Sequence, residues 1–392
     1  MNFATINACF EQFYLNLTKI YTYNKNETVK SIDELLSYYK GKKVLITGHT
    51  GFKGSWLTIW LHYLGAKVVG YGLETNNPIS NYELSGISTK IKDINGDIRN
   101  KEKLFEVFNE EKPEIVFHLA AQALVIDGYN FPLDTYETNT LGTANVLEAI
   151  RISNSVHTAI FITTDKVYDN KERLLPYRED EPMGGYDPYS SSKGAAELII
   201  ASYRSSFFNP NSYEKHKKSI ASVRAGNVIG GGDWAENRII PDCIRSIENN
   251  KIIDVRNPNA VRPWQYVLEP LGAYLVLGSK MMDEPVKYAT AWNFGPNPEN
   301  TITVKKLVEK LIEIYGHGEW KDTSVSEALH EANLLALDIN KAKNLLNWSP
   351  ILNFQETIEF TVDWYKKYKN TNVLEMCNHQ IEKYTQIWRS KN

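Results

Sequence analysis

An apolar run, Ala159 to Ile162, ends in four side chains that can donate hydrogen bonds or exchange protons: Thr163, Thr164, Asp165 and Lys166. Further on, YDPYSSSKGAAELI (Tyr186 to Ile199) places Tyr189 and Lys193 four apart at the start of a helical pattern. That spacing stacks the two side chains on one face. An ammonium beside a phenol stabilises the phenolate. At ~4 Å and an effective dielectric of ~20, the attraction is roughly 4 kcal/mol. Such a field would carry a tyrosine pKa of ~10 down by about three units, into the range of a general base. Tyr-x-x-x-Lys alone occurs often by chance. Its weight here depends on the elements that precede it.

The first of these is KVLITGHTGFKG, Lys43 to Gly54. A short apolar strand runs into a turn with glycines at 48, 51 and 54, and Trp56 to Leu64 then reads as a helix. Glycines let the backbone approach a pyrophosphate, and a helix N-terminus offers it free N–H donors. Thr50, Phe52 and Lys53 belong to the same loop. The spacing is G-x-x-G-x-x-G rather than G-x-G-x-x-G, so an ordinary strand-to-helix turn is the competing reading. A second strand, Lys67 to Gly72, leads to Glu74, 26 residues after Gly48. A carboxylate there accepts hydrogen bonds from an adenosine ribose and favours NAD over NADP; an exposed loop glutamate is the alternative. Ile94 to Arg99 reads as a third strand ending at Asp97 and Ile98, where the adenine edge would lie. Ile115 to Ala121 reads as a fourth, ending in Leu119, Ala120 and Ala121, as close passage of a cofactor requires. Helical patterns at Lys101 to Asn109 and Thr140 to Ile152 alternate with these strands. The predicted fold class is α/β, a Rossmann-type doubly wound parallel sheet with a smaller C-terminal substrate-binding lobe.

Bulk properties narrow the function classes. The 392 residues are 42% apolar and 23% charged, with a formal net charge of −3. Nothing in that balance favours nucleic acid or an acidic membrane as partner. Cys9, Cys243 and Cys377 are far apart and lack metal-ligand spacing, so no metal is expected and free thiols in a reducing compartment are. No apolar run approaches the ~18 residues of a membrane span, and no basic region precedes an apolar core at the N-terminus. A cytoplasmic location is expected. Residues 1–40 read as an extension, with a short helix from Ser31 to Tyr39 under a Ser31–Glu34 capping box. Residues 41–222 read as the dinucleotide-binding unit carrying the catalytic residues. Residues 223–392 read mainly as the substrate lobe, with some segments returning to the core. His49 in the glycine turn and His118 at a strand end read as packed histidines. The spacing places no carboxylate or nucleophile to use His49.

GHTGFKG, HLAAQ, TTDKVY and YSSSK together resemble the extended short-chain dehydrogenase/reductase family, which modifies nucleotide sugars with a tightly held NAD. Gly48 to Leu57, Thr163 to Asn170, Arg224 to Asp242 and Arg256 to Pro270 resemble more narrowly its dehydratase branch acting on CDP-glucose. The resemblance covers roughly residues 38–365. It implies that Tyr189 takes the 4-hydroxyl proton while NAD oxidises C4. Lys193 would hold the phenolate and the nicotinamide ribose, and Thr164 would bond the sugar 4-oxygen. Related dehydratases carry Asp-Glu where this chain has Asp165-Lys166. The aspartate protonates the departing 6-hydroxyl, and removal of the C5 proton falls here to Lys166 or a neighbour. A lysine base must be neutral, which needs burial or a nearby cation.

The same resemblance implies substrate contacts at Gln122, Asn227, Arg256 and Arg262, the last three toward the diphosphate. Trp264 is read either as packing on the base or ribose, or as a core residue. Tyr266 stands where relatives are expected to have histidine, which touches the base contacts. Thr303 to Tyr315, Asp338, Lys341, NWSP (Asn347 to Pro350) and Thr357 to Tyr368 complete the C-terminal part, and Glu382 to Arg389 reads as a last helix. A homodimer pairing two helices per subunit is implied. The competing functions are a 4-epimerase or a dehydratase for another nucleotide, and a catalytically silent NAD-binding protein. The Asp165-Lys166 pair counts against the epimerase. Thr164, Tyr189 and Lys193, all intact, count against the silent protein.

Overall fold

The computed structural model describes residues 30–324 and 335–391. A seven-stranded sheet runs in the order Ala291–Phe294, Ser219–Ala225, Thr158–Ile162, Ile115–His118, Lys43–Thr47, Lys67–Gly72, Lys92–Asn95. Every neighbouring pair in it is parallel. Parallel pairs need long crossovers, and the helices Phe52–Tyr63, Lys101–Glu111, Gly142–Ile152, Pro188–Ser206 and Leu268–Asp283 cover both faces. Alternation along each strand feeds two cores. Val44, Ile46, Phe117, Ile160 and Ile162 face one, with Trp56, Trp60 and Leu271. Leu45, Val116 and Phe161 face the other, with Leu104, Val146 and Ile150. Strand order reverses between Lys43–Thr47 and Ile115–His118, and ligands bind beyond the carboxyl ends at such a switch point.

Local packing moves several expected boundaries. The third strand is Lys92–Asn95, not Ile94 to Arg99. The strand ends before Gly96, where a side chain would meet the Tyr71 ring at 2.3 Å, and Asp97 lies beyond it. The fourth strand stops at His118, and Leu119 to Ala121 form the following loop. The fifth is Thr158–Ile162. The helix after the glycine turn begins at Phe52, because Gly51 is its N-cap. Strand Ser219–Ala225 spans the expected division at 222, and Ala291–Phe294 is also part of the sheet.

The expected capping box is present: the Ser31 hydroxyl accepts from the Glu34 N–H, and the Glu34 carboxylate accepts from the Ser31 N–H. The helix it starts, Ile32–Ser37, packs on Leu268–Asp283. The Tyr39 hydroxyl then donates to the Leu275 carbonyl at 2.7 Å. Cys9 and residues 1–29 of the expected extension lie outside the described residues. The last helix is longer than its sequence signal, Val373–Lys391. It buries Met376, Cys377, Ile381, Tyr384 and Trp388, each large apolar side chain contributing on the order of 1.5–3 kcal/mol. Among the described residues, no helix is long and apolar enough to cross a membrane.

Candidate active site

The glycine turn is fixed by close backbone approach. Gly48 has φ +74°, and a side chain there would meet the Ala120 backbone at 2.6 Å. A side chain at Gly54 would meet the Gly48 carbonyl oxygen at 2.0 Å. Gly51 caps Phe52–Tyr63 without a side-chain bond, so no side chain occupies that helix N-terminus. In front of it lies a cleft of about 300 Å³. Its walls are Gly48, Thr50 to Gly54, Asp97, Ile98 and Leu119 to Ala121, together with Arg99 and Arg238, which the sequence reading did not single out. A cradle that side chains would fill, opening on a helix N-terminus, fits a dinucleotide diphosphate. Asp97 takes a paired bond from Arg99 at 2.9 and 2.7 Å. Partial burial works to raise its pKa, but that pairing holds it below the ordinary value. Glu74 lies outside the cleft wall, exposed, and accepts from Asn95 Nδ2 at 2.7 Å.

The side chains expected to be catalytic lie around the end of Thr158–Ile162. Asp187 starts the helix Pro188–Ser206, accepting from the Ser190 N–H (2.9 Å) and hydroxyl (2.6 Å), with Pro188 at the first helical position. This sets Tyr189 and Lys193 facing the strand end. The Thr164 hydroxyl donates to Asp165 Oδ1 at 2.9 Å. Asp165 is buried, and burial raises its pKa against the opposing pull of Lys166, Thr164 and Arg262. A carboxyl so placed favours its protonated form. Lys166 is half-buried beside it.

Lys193 is buried, and its Nζ donates to the Ile162 carbonyl at 3.0 Å. Burial lowers its pKa to about 8, with Glu197 opposing. Tyr189 does not show the expected depression: burial raises its pKa to about 12, opposed by a hydrogen bond with Thr164 and by the Arg238 charge. The expectation counted the attraction between the two groups and not the cost of enclosing them. Enclosure penalises both charged forms, and the ammonium is turned to a backbone carbonyl.

Beneath them is a buried network that the sequence reading missed. Glu197, one helical turn after Lys193, accepts from the Thr163 hydroxyl (2.6 Å), the Ser222 hydroxyl (2.8 Å) and Arg224 NH2 (2.9 Å). Arg224 and Glu197 side chains are each 3% exposed. The carboxylate thereby ties the helix to two strand ends. Its position four after Lys193 was the available signal.

Both histidines are packed. His118 bonds Thr47 (2.7 Å) and Thr143 (3.0 Å), and burial, then Lys193, lowers its pKa to about 3. His49 is fully buried, but a carboxylate does face it: Nε2 lies 2.7 Å from Asp93 Oδ1, and Tyr82 holds the other oxygen. Asp93 is far in sequence and reaches it through the register of the second and third strands. The His49 ring fills the space where side chains at Gly70 would stand.

On the substrate side, Arg262 is buried and its charge acts on Asp165, which places it at the catalytic end. Asn227 is half-buried in the segment after Ser219–Ala225. Arg256 is exposed and donates to Asn237 Oδ1 at 3.0 Å. Gln122 is engaged internally with Leu124 and Thr135, where it fixes the loop after the fourth strand. Trp264 is buried, with Nε1 donating to the Ile302 carbonyl at 3.3 Å, which matches the core reading. Tyr266 is also a core residue: it packs on Trp56 and Phe360, and its hydroxyl donates to Gln380 of the last helix at 2.5 Å. Among the described residues, no group of three or more His, Cys, Asp or Glu is arranged to hold a metal ion.

The family described as GDP-mannose 4,6 dehydratase matches residues 45–361. CDP-glucose 4,6-dehydratase of Salmonella typhimurium is 46% identical over 342 residues, spanning 87% of this chain and 95% of its own length. dTDP-D-glucose 4,6-dehydratase of Mus musculus is 28% identical over 83% of this chain and 89% of its own. A crystal structure of dTDP-glucose 4,6-dehydratase from Bacillus anthracis in complex with NAD shares the fold, with a TM-score of 0.70 at 23% identity, covering 86% of this chain and 100% of that one.

Proposed function

The chain belongs to the GDP-mannose 4,6 dehydratase family, within the extended short-chain dehydrogenase/reductases, and on that premise we propose that it converts CDP-glucose to CDP-4-dehydro-6-deoxyglucose. It is an NAD-dependent nucleotide-sugar 4,6-dehydratase, a lyase built on an oxidoreductase fold. The observation that carries the reading is Asp165. A buried carboxyl biased toward its protonated form, hydrogen-bonded to Thr164, is an acid suited to a departing hydroxyl. A 4-epimerase has no water to expel and no use for that acid. The choice of cytidine rests on the 46% identical relative.

When bound, NAD supplies the acceptor for the hydrogen and electron pair leaving C4 and returns them to C6. Gly48 and Thr50 to Gly54 would hold its diphosphate, and Asp97, Ile98 and Leu119 to Ala121 would enclose it, with Glu74 serving the adenosine ribose and Lys193 the nicotinamide ribose. Tyr189 accepts the 4-hydroxyl proton, and Thr164 holds O4. The C5 proton becomes acidic once C4 is a ketone. Lys166 or a neighbouring group removes it, the C5–H electrons form the C5=C6 bond, and Asp165 protonates the 6-hydroxyl as it leaves; as the hydrogen and electron pair from C4 add to C6, the C5=C6 electrons take a proton back at C5 from that same base after exchange with solvent. The sum is the loss of one water with the cofactor unchanged. Asn227, Arg256 and Arg262 would pair with the substrate diphosphate, with Gln122 shaping the sugar end.

The enzyme would act in the cytoplasm and supply deoxysugars for surface polysaccharides of the O-antigen type. Leu198 on Pro188–Ser206 and Ile152 on Gly142–Ile152 are exposed apolar residues, which supports a homodimer through those helices. Incubation with CDP-glucose, UDP-glucose, dTDP-glucose and GDP-mannose in turn tests the reading. A 4-keto product lighter by one water from CDP-glucose alone is expected. A product from another nucleotide would discard the cytidine assignment, and a product of unchanged mass would replace dehydration by epimerisation.

A further inference from the structure

The turn Asp165–Val167, which carries Asp165 and Lys166, is held from both sides by one buried ion pair. On its N-terminal side the Thr163 hydroxyl donates to Glu197 at 2.6 Å. On its C-terminal side Tyr168 is buried, and its oxygen accepts from Arg224 NH1 at 2.7 Å. The same guanidinium donates through NH2 to Glu197 Oε2 at 2.9 Å. Thr163, Glu197, Arg224 and Tyr168 thus close a ring of bonds around Thr164, Asp165 and Lys166. The Tyr168 hydroxyl donates onward to Asn293 Oδ1 at 2.7 Å, and its ring stacks on Tyr177 with centroids 5.2 Å apart. The Arg224 guanidinium also stands 5.0 Å from the centre of the Tyr168 ring.

Glu197 belongs to Pro188–Ser206, the helix that carries Tyr189 and Lys193, and successive spacings of four put all three on one face. Arg224 belongs to Ser219–Ala225. Two residues on, a side chain at Gly226 would meet Asp165 Oδ2 at 2.9 Å, so the Asp165 carboxyl lodges against the strand end that carries Arg224. The helix therefore bears the groups read as serving C4 oxidation, and the turn bears those read as serving water loss. The ion pair sets one against the other. Glu197 keeps bonds to Thr163 and Ser222 whether or not the Tyr168 hydroxyl is present, which anchors the helix. The far side of the turn has its side-chain tie to the pair through that hydroxyl.

Resting on the reading of Tyr189 as the base for C4 oxidation and of Asp165 and Lys166 as the eliminating groups, we propose that Tyr168 is a positioning residue for elimination. Through Arg224 and Glu197 it registers the turn bearing Asp165 and Lys166 to the helix bearing Tyr189 and Lys193. A sugar oxidised at C4 from the helix then meets the acid at C6 without having to move.

Tyr168→Phe removes the hydroxyl and keeps the ring, whereas removing Arg224 would leave Glu197 buried without its counter-charge and put folding at risk. Rapid mixing of the NAD-loaded enzyme with CDP-glucose reads the two steps apart. Reduced cofactor appears with C4 oxidation and disappears as its hydrogen returns at C6 after elimination. In Tyr168→Phe the rise should keep its wild-type rate to within a few-fold. The decay should slow by about tenfold or more, since a displacement of about 1 Å can cost ~10²-fold. A residue that only supports the fold would lower thermal stability and leave the ratio of the two rates as it was, so an unchanged ratio overturns the proposal. If the wild type turns over no nucleotide sugar, the reading of function fails, and crystal structures of the wild type and Tyr168→Phe decide the positioning instead. A shift of Asp165 and Lys166 relative to Lys193 by more than ~0.5 Å, the tolerance of a catalytic constellation, bears it out. An unmoved turn overturns it.

Discussion

The Thr164 hydroxyl donates to Asp165 Oδ1 at 2.9 Å, and the same threonine works against the upward pKa shift that burial imposes on Tyr189. One small side chain thus links the base proposed for C4 oxidation to the acid proposed for water loss. The two steps share a hydrogen-bonded centre, and they should separate when one end of it is altered.

Asp165→Asn removes the acid and keeps the shape. C4 oxidation should proceed while elimination slows by at least ~10²-fold. Stopped-flow absorbance should therefore show the reduced cofactor accumulating on mixing with CDP-glucose. Wild-type turnover should also fall as pH rises through the raised pKa of Asp165, because the ionised form has no proton to give. A variant that turns over at the wild-type rate would remove Asp165 from the acid role.

Tyr189→Phe removes the proton acceptor for the 4-hydroxyl and nothing from the cleft wall. Turnover should fall by ~10²–10⁴-fold. Calorimetric titration should find binding of NAD and nucleotide sugar within a few-fold of wild type. Retention of a tenth of the activity would place the base elsewhere.

Tyr266→Phe tests the core assignment of a residue first read as bearing on the base contacts. Losing the buried bond to Gln380 should cost about 1–3 kcal/mol of stability. Thermal unfolding should record that loss with KM for the nucleotide sugar unchanged. A raised KM at unchanged stability would return Tyr266 to the substrate.

Glu269 gives a pH dependence of stability. It is buried, with its oxygens accepting from the Ile351 and Leu352 N–H groups and the Tyr384 hydroxyl, and burial raises its pKa to about 7. The folded pKa exceeds the unfolded one of ~4.3. Its contribution to stability is fully present below the unfolded value and is lost as pH rises to about 7. The loss should be on the order of 3–4 kcal/mol by linkage. Urea unfolding of Glu269→Gln across pH 4 to 8 should lack this slope.

The strand–glycine–helix unit and the Tyr189–Lys193 spacing were legible because each depends on local backbone demands. Gly48 and Gly54 are fixed by contacts measured in tenths of an ångström, and their pattern survives in one dimension. The seven-strand order needed the structure, since Ser219–Ala225 spans the expected division at 222 and Ala291–Phe294 joins the sheet from the part read mainly as substrate lobe. Asp93 against His49 was not legible, and neither was the aromatic clamp of Trp56, Trp364 and Tyr365 on the loop from Gly231 to Asp233. Both bring together residues separated by large sequence gaps, the first by strand register. The upward pKa shift of Tyr189 also escaped spacing arguments, because burial is its largest cause and the Lys193 ammonium is turned to the Ile162 carbonyl.

The most direct test of the account is conversion of CDP-glucose in heavy water, read by mass and NMR. The account predicts a 4-keto-6-deoxy nucleotide, lighter than the substrate by one water and heavier by the exchange of one hydrogen for deuterium, with that solvent deuterium at C5 and the original C4 hydrogen at C6. A product without deuterium at C5, or with deuterium at C6 in place of the C4 hydrogen, would contradict it.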